Sequence, residues 1–144
     1  MAETDNIVEV LEKVPLFQKF DQRQLKRLAN RFADREYEAG KEIVTQGREG
    51  IGLFIIASGQ AEAVRERADG IRSVVNRFGP GDFFGEMALL DNGPRTASVI
   101  ATEPTRCLVL VQWDFIAMLR EEPDMAIIVL QALAQRFRQI LDTM

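Results

Sequence analysis

Between residues 37 and 111 the chain reads as short β-rich runs cut apart by glycine turns, and that rhythm restricts its fold more than any other feature. The runs are KEIV, GLFII, AEAV, IRSVV, ASVIA and CLVLV, dominated by β-branched and other apolar residues. Asp69 and Gly70 between two of them form a hairpin signal, while Gly47, Gly50, Gly59 and the triplet Gly79, Pro80, Gly81 mark further turns. Short strands so regularly spaced build an antiparallel sandwich or jelly roll.

Both flanks are helical. Ile7, Val10, Leu11 and Val14 recur at helical spacing up to Pro15, and Leu16, Phe17 and Phe20 make an apolar link. Asp21 with Gln24 three residues later is a capping-box start for a second helix, whose face continues through Leu25, Leu28, Ala29 and Phe32. After residue 111 a helix is expected over residues 113–120. A longer one opens at Pro123, with Ala126, Leu130, Leu133, Phe137, Ile140 and Met144 alternating steps of four and three.

Composition narrows the chemistry. A chain of 144 residues, 47% apolar, buries one core, so a single domain over residues 1–144 is expected, with helices at 1–36, the roll at 37–111 and helices at 112–144. There is no histidine, which removes the commonest general base and metal ligand; neither a catalytic set nor a metal site is visible. The lone cysteine, Cys107, lies in the apolar run RCLVLV and reads as a core residue. A net charge of −4 argues against nucleic-acid binding. The longest apolar stretch, residues 51–57, is strand-sized, and the N-terminus carries acids where an export signal would carry bases, so a cytoplasmic protein with no membrane segment is expected.

Residues 83–99, FFGEMALLDNGPRTASV, hold the densest functional signal. Gly85 permits close backbone approach, Glu86 can accept hydrogen bonds from hydroxyls, and the N–H groups over residues 87–89 open a helical turn whose positive end suits an anion. Arg95, after the turn Asn92, Gly93, Pro94, brings the only full positive charge of the stretch. A guanidinium beside helix N–H groups suits a phosphate, and a carboxylate held apart from it suits a neutral polyol. Together they describe a small ligand with a phosphate and a sugar.

The two leading helices, QGREGIGLFIIASGQ, GPGDFFGEMALL, PRTASV and the two trailing helices resemble the cyclic-nucleotide-binding domains of kinase regulatory subunits, gated channels and the bacterial catabolite activator group. The resemblance implies an α+β fold: an eight-stranded antiparallel β-roll flanked by two helices at each end, with a short helix in a phosphate-binding cassette. It implies a ligand-binding set of Phe84, Gly85, Glu86, Met87, Ala88, Arg95, Thr96 and Ala97. Within that set Glu86 takes the ribose 2′-hydroxyl, Gly85 offers backbone to the same ribose, Arg95 pairs the cyclic phosphate, and Ala88 and Thr96 supply N–H groups. The ligand is cAMP or cGMP, without a further cofactor. A threonine at position 96 admits a bond to the guanine amino group, yet one hydroxyl bond contributes only about 0.5–1.5 kcal/mol, at most about tenfold in affinity. Many kinase-type relatives carry an acid that orients the cassette arginine where this chain has Ile51.

The final helix serves relatives as a lid that passes binding onward, and Phe137, Ile140 and Leu141 are the lid candidates, with Arg136 and Arg138 available to the base. The same stripe can pack on the roll or pair two chains as a homodimer. The output is expected to reach an effector, either as a stand-alone sensor acting on a partner protein or as a module of a larger protein. The competing expectation is a ligand-free interaction module of the same fold.

Overall fold

This is a computed structural model in which residues 2–91 and 93–144 are described; Asn92 of the expected turn lies outside them. The elements run α1 (Ala2–Leu11), a 3-10 turn (Pro15–Phe17), α2 (Gln22–Ala29), β1 (Ala33–Tyr37), β2 (Glu42–Val44), β3 (Gly52–Ser58), β4 (Ala61–Glu66) and β5 (Arg72–Phe78). They continue with β6 (Phe83–Phe84), a 3-10 helix (Glu86–Leu89), β7 (Ser98–Ala101), β8 (Thr105–Val111), α3 (Gln112–Glu121) and α4 (Pro123–Asp142). Two compact units emerge, a roll of residues 32–112 and a helical unit of residues 1–31 with 113–144.

Among the described residues the roll holds two four-stranded antiparallel sheets, ordered β1-β8-β3-β6 and β2-β7-β4-β5. The expected antiparallel β-roll is therefore present, with its eight strands and its flanking helices. Strand alternation fills its core: Phe54 and Ile56 of β3, Ala61 and Ala63 of β4, Val99 and Ala101 of β7, and Cys107 and Val109 of β8 form one buried cluster with Ile43 and Phe84. Phe54 and Phe84 stack with ring centroids 5.1 Å apart. The Asp69 and Gly70 signal falls in the β4–β5 hairpin, where Gly70 takes a φ of 85° and the Arg67 N–H donates to the Ile71 carbonyl at 2.9 Å.

β1 begins at Ala33, before the expected start of the roll at residue 37. Its sequence, ADREY, is exposed at its first four residues, so no apolar pattern announces it. What holds it is antiparallel pairing to β8, from Ala33 opposite Val109 to Tyr37 opposite Thr105.

In the helical unit the capping box forms as read: Asp21 Oδ1 accepts from the Gln24 N–H at 2.8 Å, and Gln24 Oε1 accepts from the Asp21 N–H at 2.9 Å. Phe17 stacks on Phe20 at 5.4 Å and meets Phe115 of α3 at 5.7 Å. Arg23 and Arg27 reach Glu122 at 3.1 and 3.0 Å, tying α2 to the start of α4.

The phase of α4 shows which of its apolar residues are buried. They are Met125, Val129 and Ala132, whereas Leu130 and Phe137 of the four-and-three stripe are 64% and 63% exposed. The helix is apolar over more than one stripe, so spacing alone did not select the buried one. Ile127, Leu130, Ala134, Phe137 and Leu141, at steps of three and four, make an exposed apolar seam.

Candidate functional site

Gly85 ends β6 in the left-handed region, φ 88°, and turns the chain into the 3-10 helix that carries Glu86, Met87 and Ala88. Glycine is needed there twice over. A Cβ would stand 2.6 Å from the Gly52 carbonyl oxygen and 2.8 Å from Arg95 Nη1. Gly50 plays the same part from the other side, since a Cβ on it would meet Ala88 Cβ at 2.6 Å and Arg95 Cδ at 3.1 Å. Two bare backbones therefore make the slot that the arginine occupies.

The arm that carries Arg95 is fixed through its main chain. The Arg95 N–H donates to the Arg48 carbonyl at 2.8 Å, the Arg95 carbonyl accepts from the Gly47 N–H at 2.8 Å, and Glu49 bridges Pro94. The side chain is half-buried and lies 5.8 Å from the centre of the Phe84 ring. Among the described residues no carboxylate lies within ion-pair distance of it, so no acid orients it where this chain has Ile51. Burial lowers the pKa of the guanidinium from its ordinary value, and the Glu86 carboxylate partly opposes that shift. Arginine stays protonated regardless. The site therefore holds a cation that has given up part of its water without an anionic partner at contact.

A cavity of about 370 Å³ opens over this cation, lined by Gly85, Glu86, Met87, Ala88, Asp91, Gly93, Pro94, Arg95 and Thr96. It brings together most of the expected set. Phe84 is buried beneath Arg95 and Ala97 packs against the roll core, so neither lines the cavity. Asp91, Gly93 and Pro94 also line it though outside the expected set; the sequence marks Gly93 and Pro94 only as part of the turn before Arg95, and Asp91 directly precedes that turn. The Ala88 N–H donates to the Gly85 carbonyl at 3.0 Å, while the Thr96 N–H has no acceptor among the described residues. The Thr96 carbonyl accepts from Arg65 Nε at 3.3 Å. The lid candidates Phe137, Ile140 and Leu141 are exposed on α4.

Chemically, the cavity offers one guanidinium fork, one free amide and two carboxylates: Asp91, whose Oδ1 already accepts from the Gly93 N–H at 3.1 Å, and Glu86, which can accept from hydroxyls. That set suits a monoanion with a polyol. A larger concavity of about 450 Å³ at Glu36, Tyr37, Glu38, Ser58, Thr105 and Arg106 does not: its arginine pairs with Asp34 at 2.5 Å, and two further acids line it.

Residues 34–122 match the family model for the cyclic nucleotide-binding domain, and the chain belongs to that family. It is 37% identical over 125 residues to the cyclic AMP receptor protein of Thermus thermophilus, covering 87% of this chain and 58% of that protein. It is 40% identical over 95 residues to a cAMP-dependent protein kinase regulatory subunit of Mycosarcoma maydis, covering 66% of this chain and 18% of that one. The chain thus spans little more than half of the first relative and a fifth or less of the second. The crystal structure of the N-terminal domain of a transcriptional regulator from Streptomyces coelicolor superposes with a TM-score of 0.85 at 30% identity, over 94% of each chain. The family is named for binding a ligand, not for catalysis.

Proposed function

We propose that this chain is a receptor for a 3′,5′-cyclic nucleotide, with cAMP as its ligand, and that it has no enzymatic activity. The observation that carries the reading is Arg95, a half-buried cation without an ion-pair partner among the described residues, set in a cavity with Glu86. A cyclic phosphodiester carries one negative charge, which a single arginine and a free amide can meet without a metal. In this reading Glu86 takes the ribose hydroxyl and Arg95 the phosphate. The names of the two sequence relatives support cAMP. Thr96 lines the cavity and leaves cGMP as a second ligand within about tenfold.

Binding is relayed through α4. Its seam of Ile127, Leu130, Ala134, Phe137 and Leu141 has the three-and-four spacing that pairs with a copy of itself, and we assign it to a homodimer that presents the signal to an effector. Calorimetric titration with cAMP and cGMP tests the receptor reading. Heat of binding at one site per chain is expected. No heat and no thermal shift with either nucleotide at millimolar concentration would sink it and leave the fold as an interaction module.

A further inference from the structure

The helical unit has a cavity of its own. It measures about 210 Å³ and lies between the Pro15–Phe17 turn and α4, where Pro15, Gln18, Lys19, Gln135, Arg136 and Gln139 face one another. Its lining holds two cations, three amides and no carboxylate. Of its lining residues, Arg136 has a guanidinium that is not fully satisfied: its Nη1 is buried and has no hydrogen-bond acceptor among the described residues. A buried guanidinium N–H without an acceptor is costly, so this arginine gains by turning its fork toward an anion.

We propose that this cavity binds a small oxyanion of the phosphate class, with Arg136 as its principal ligand. The chemistry of the lining selects the class. Arginine presents a planar fork to an oxyanion, Lys19 adds a compact charge, and the side-chain amides can donate to the remaining oxygens. Size selects the kind. About 210 Å³ falls below the roughly 300 Å³ at which pockets begin to enclose drug-sized molecules, so a free anion fits better than a nucleotide.

The placement gives the anion a mechanical role. Ala132 and Arg136 share one face of α4, and Gln135 and Gln139 stand beside them at the same four-residue step. An anion bridging Lys19 and Arg136 clamps the middle of α4 to the turn after α1. Arg136 is thereby committed to the helical unit, and the base-contacting part expected of it from sequence is reassigned.

The test follows the thermal unfolding of the full chain at constant ionic strength as phosphate replaces chloride, without nucleotide. A phosphate-dependent rise in Tm of a few degrees is expected for the wild type and for Arg95→Ala, and its loss for Arg136→Gln. The side-chain Nε–H resonance of Arg136 in 15N-labelled wild type should move on the same titration, a reading that needs no variant to fold. A rise abolished by Arg95→Ala yet kept by Arg136→Gln would place the anion in the other cavity and overturn the proposal. An Arg136 resonance that stays put at tens of millimolar phosphate would overturn it equally. The second result leaves the cAMP reading at Arg95 untouched, and the first would support it while removing this proposal.

Discussion

Arg95 lies where a side chain on Gly85 would have to go: a Cβ on Gly85 would stand 2.8 Å from Arg95 Nη1. The glycine's φ of 88° adds a backbone reason to the steric one. Gly85→Ala should therefore fold with a loss of about 1–3 kcal/mol in urea denaturation and push the guanidinium from its slot. Cyclic-nucleotide affinity should fall with it in calorimetry. A variant of unchanged stability and affinity would show that the slot is not needed.

Arg95→Ala separates binding from folding. The arginine is partly desolvated and makes no ion pair among the described residues, so its removal relieves a cost in the free protein. Ligand-free stability should stay level or rise, while affinity for cAMP drops by about 2–4 kcal/mol, the loss expected for a charge-assisted partner. Denaturant melts and calorimetry on the same preparations read both. A large fall in ligand-free stability would mean that the arginine is structural.

The cassette was legible from sequence because its constraints are local. Gly85, Glu86 and Arg95 fall at fixed spacing around one turn, and each has a chemical reason to be the residue it is. The roll was legible where apolar alternation marks strands, as in β3 and β8. It was not legible at β1, whose ADREY sequence carries no such pattern and whose pairing to β8 is a matter of main-chain bonds. Nor was it legible at β6, a pair of residues placed opposite Ile55 and Phe54 by tertiary packing. In α4 several apolar stripes compete, and only the packing of the helical unit selects Met125, Val129 and Ala132 for burial.

Glu86 can be tested through the ligand as well as the protein. If its carboxylate accepts from the ribose 2′-hydroxyl, Glu86→Ala should weaken cAMP by about 1.5–3 kcal/mol. The 2′-deoxy analogue should lose a similar amount with the wild type and little more with the variant. Additive losses across that cycle would remove Glu86 from the ribose.

Cys107 gives a pH dependence with a definite sign. It is fully buried in the roll core, and burial raises its thiol pKa from an ordinary 9.0 to about 11. The folded state then holds its proton more tightly than the unfolded state. Stability from this group is present in full below pH 9.0 and declines as pH rises toward about 11. Cys107→Ala should flatten the alkaline limb of the stability curve, although the smaller side chain leaves a cavity and lowers the plateau. In the native protein a thiol reagent at pH 8 should label Cys107 only at the rate of unfolding.

The seam on α4 makes the quaternary prediction. Leu130 and Phe137 are 64% and 63% exposed, and they sit seven residues apart on the face that carries Ile127, Ala134 and Leu141. Two such seams brought together bury large apolar side chains that one chain leaves in water, at about 25 cal/mol per Å² of surface removed. A helix of 20 residues is short for independent pairing, so the dimer should be concentration-dependent. Sedimentation velocity should show a monomer–dimer equilibrium for the wild type and a monomer for Leu130→Glu and Phe137→Glu, because each places a charge in the seam. Since neither residue is buried in the chain itself, both variants should keep the wild-type melting temperature at low concentration. A wild type that remains monomeric at high concentration would leave the seam to a different partner.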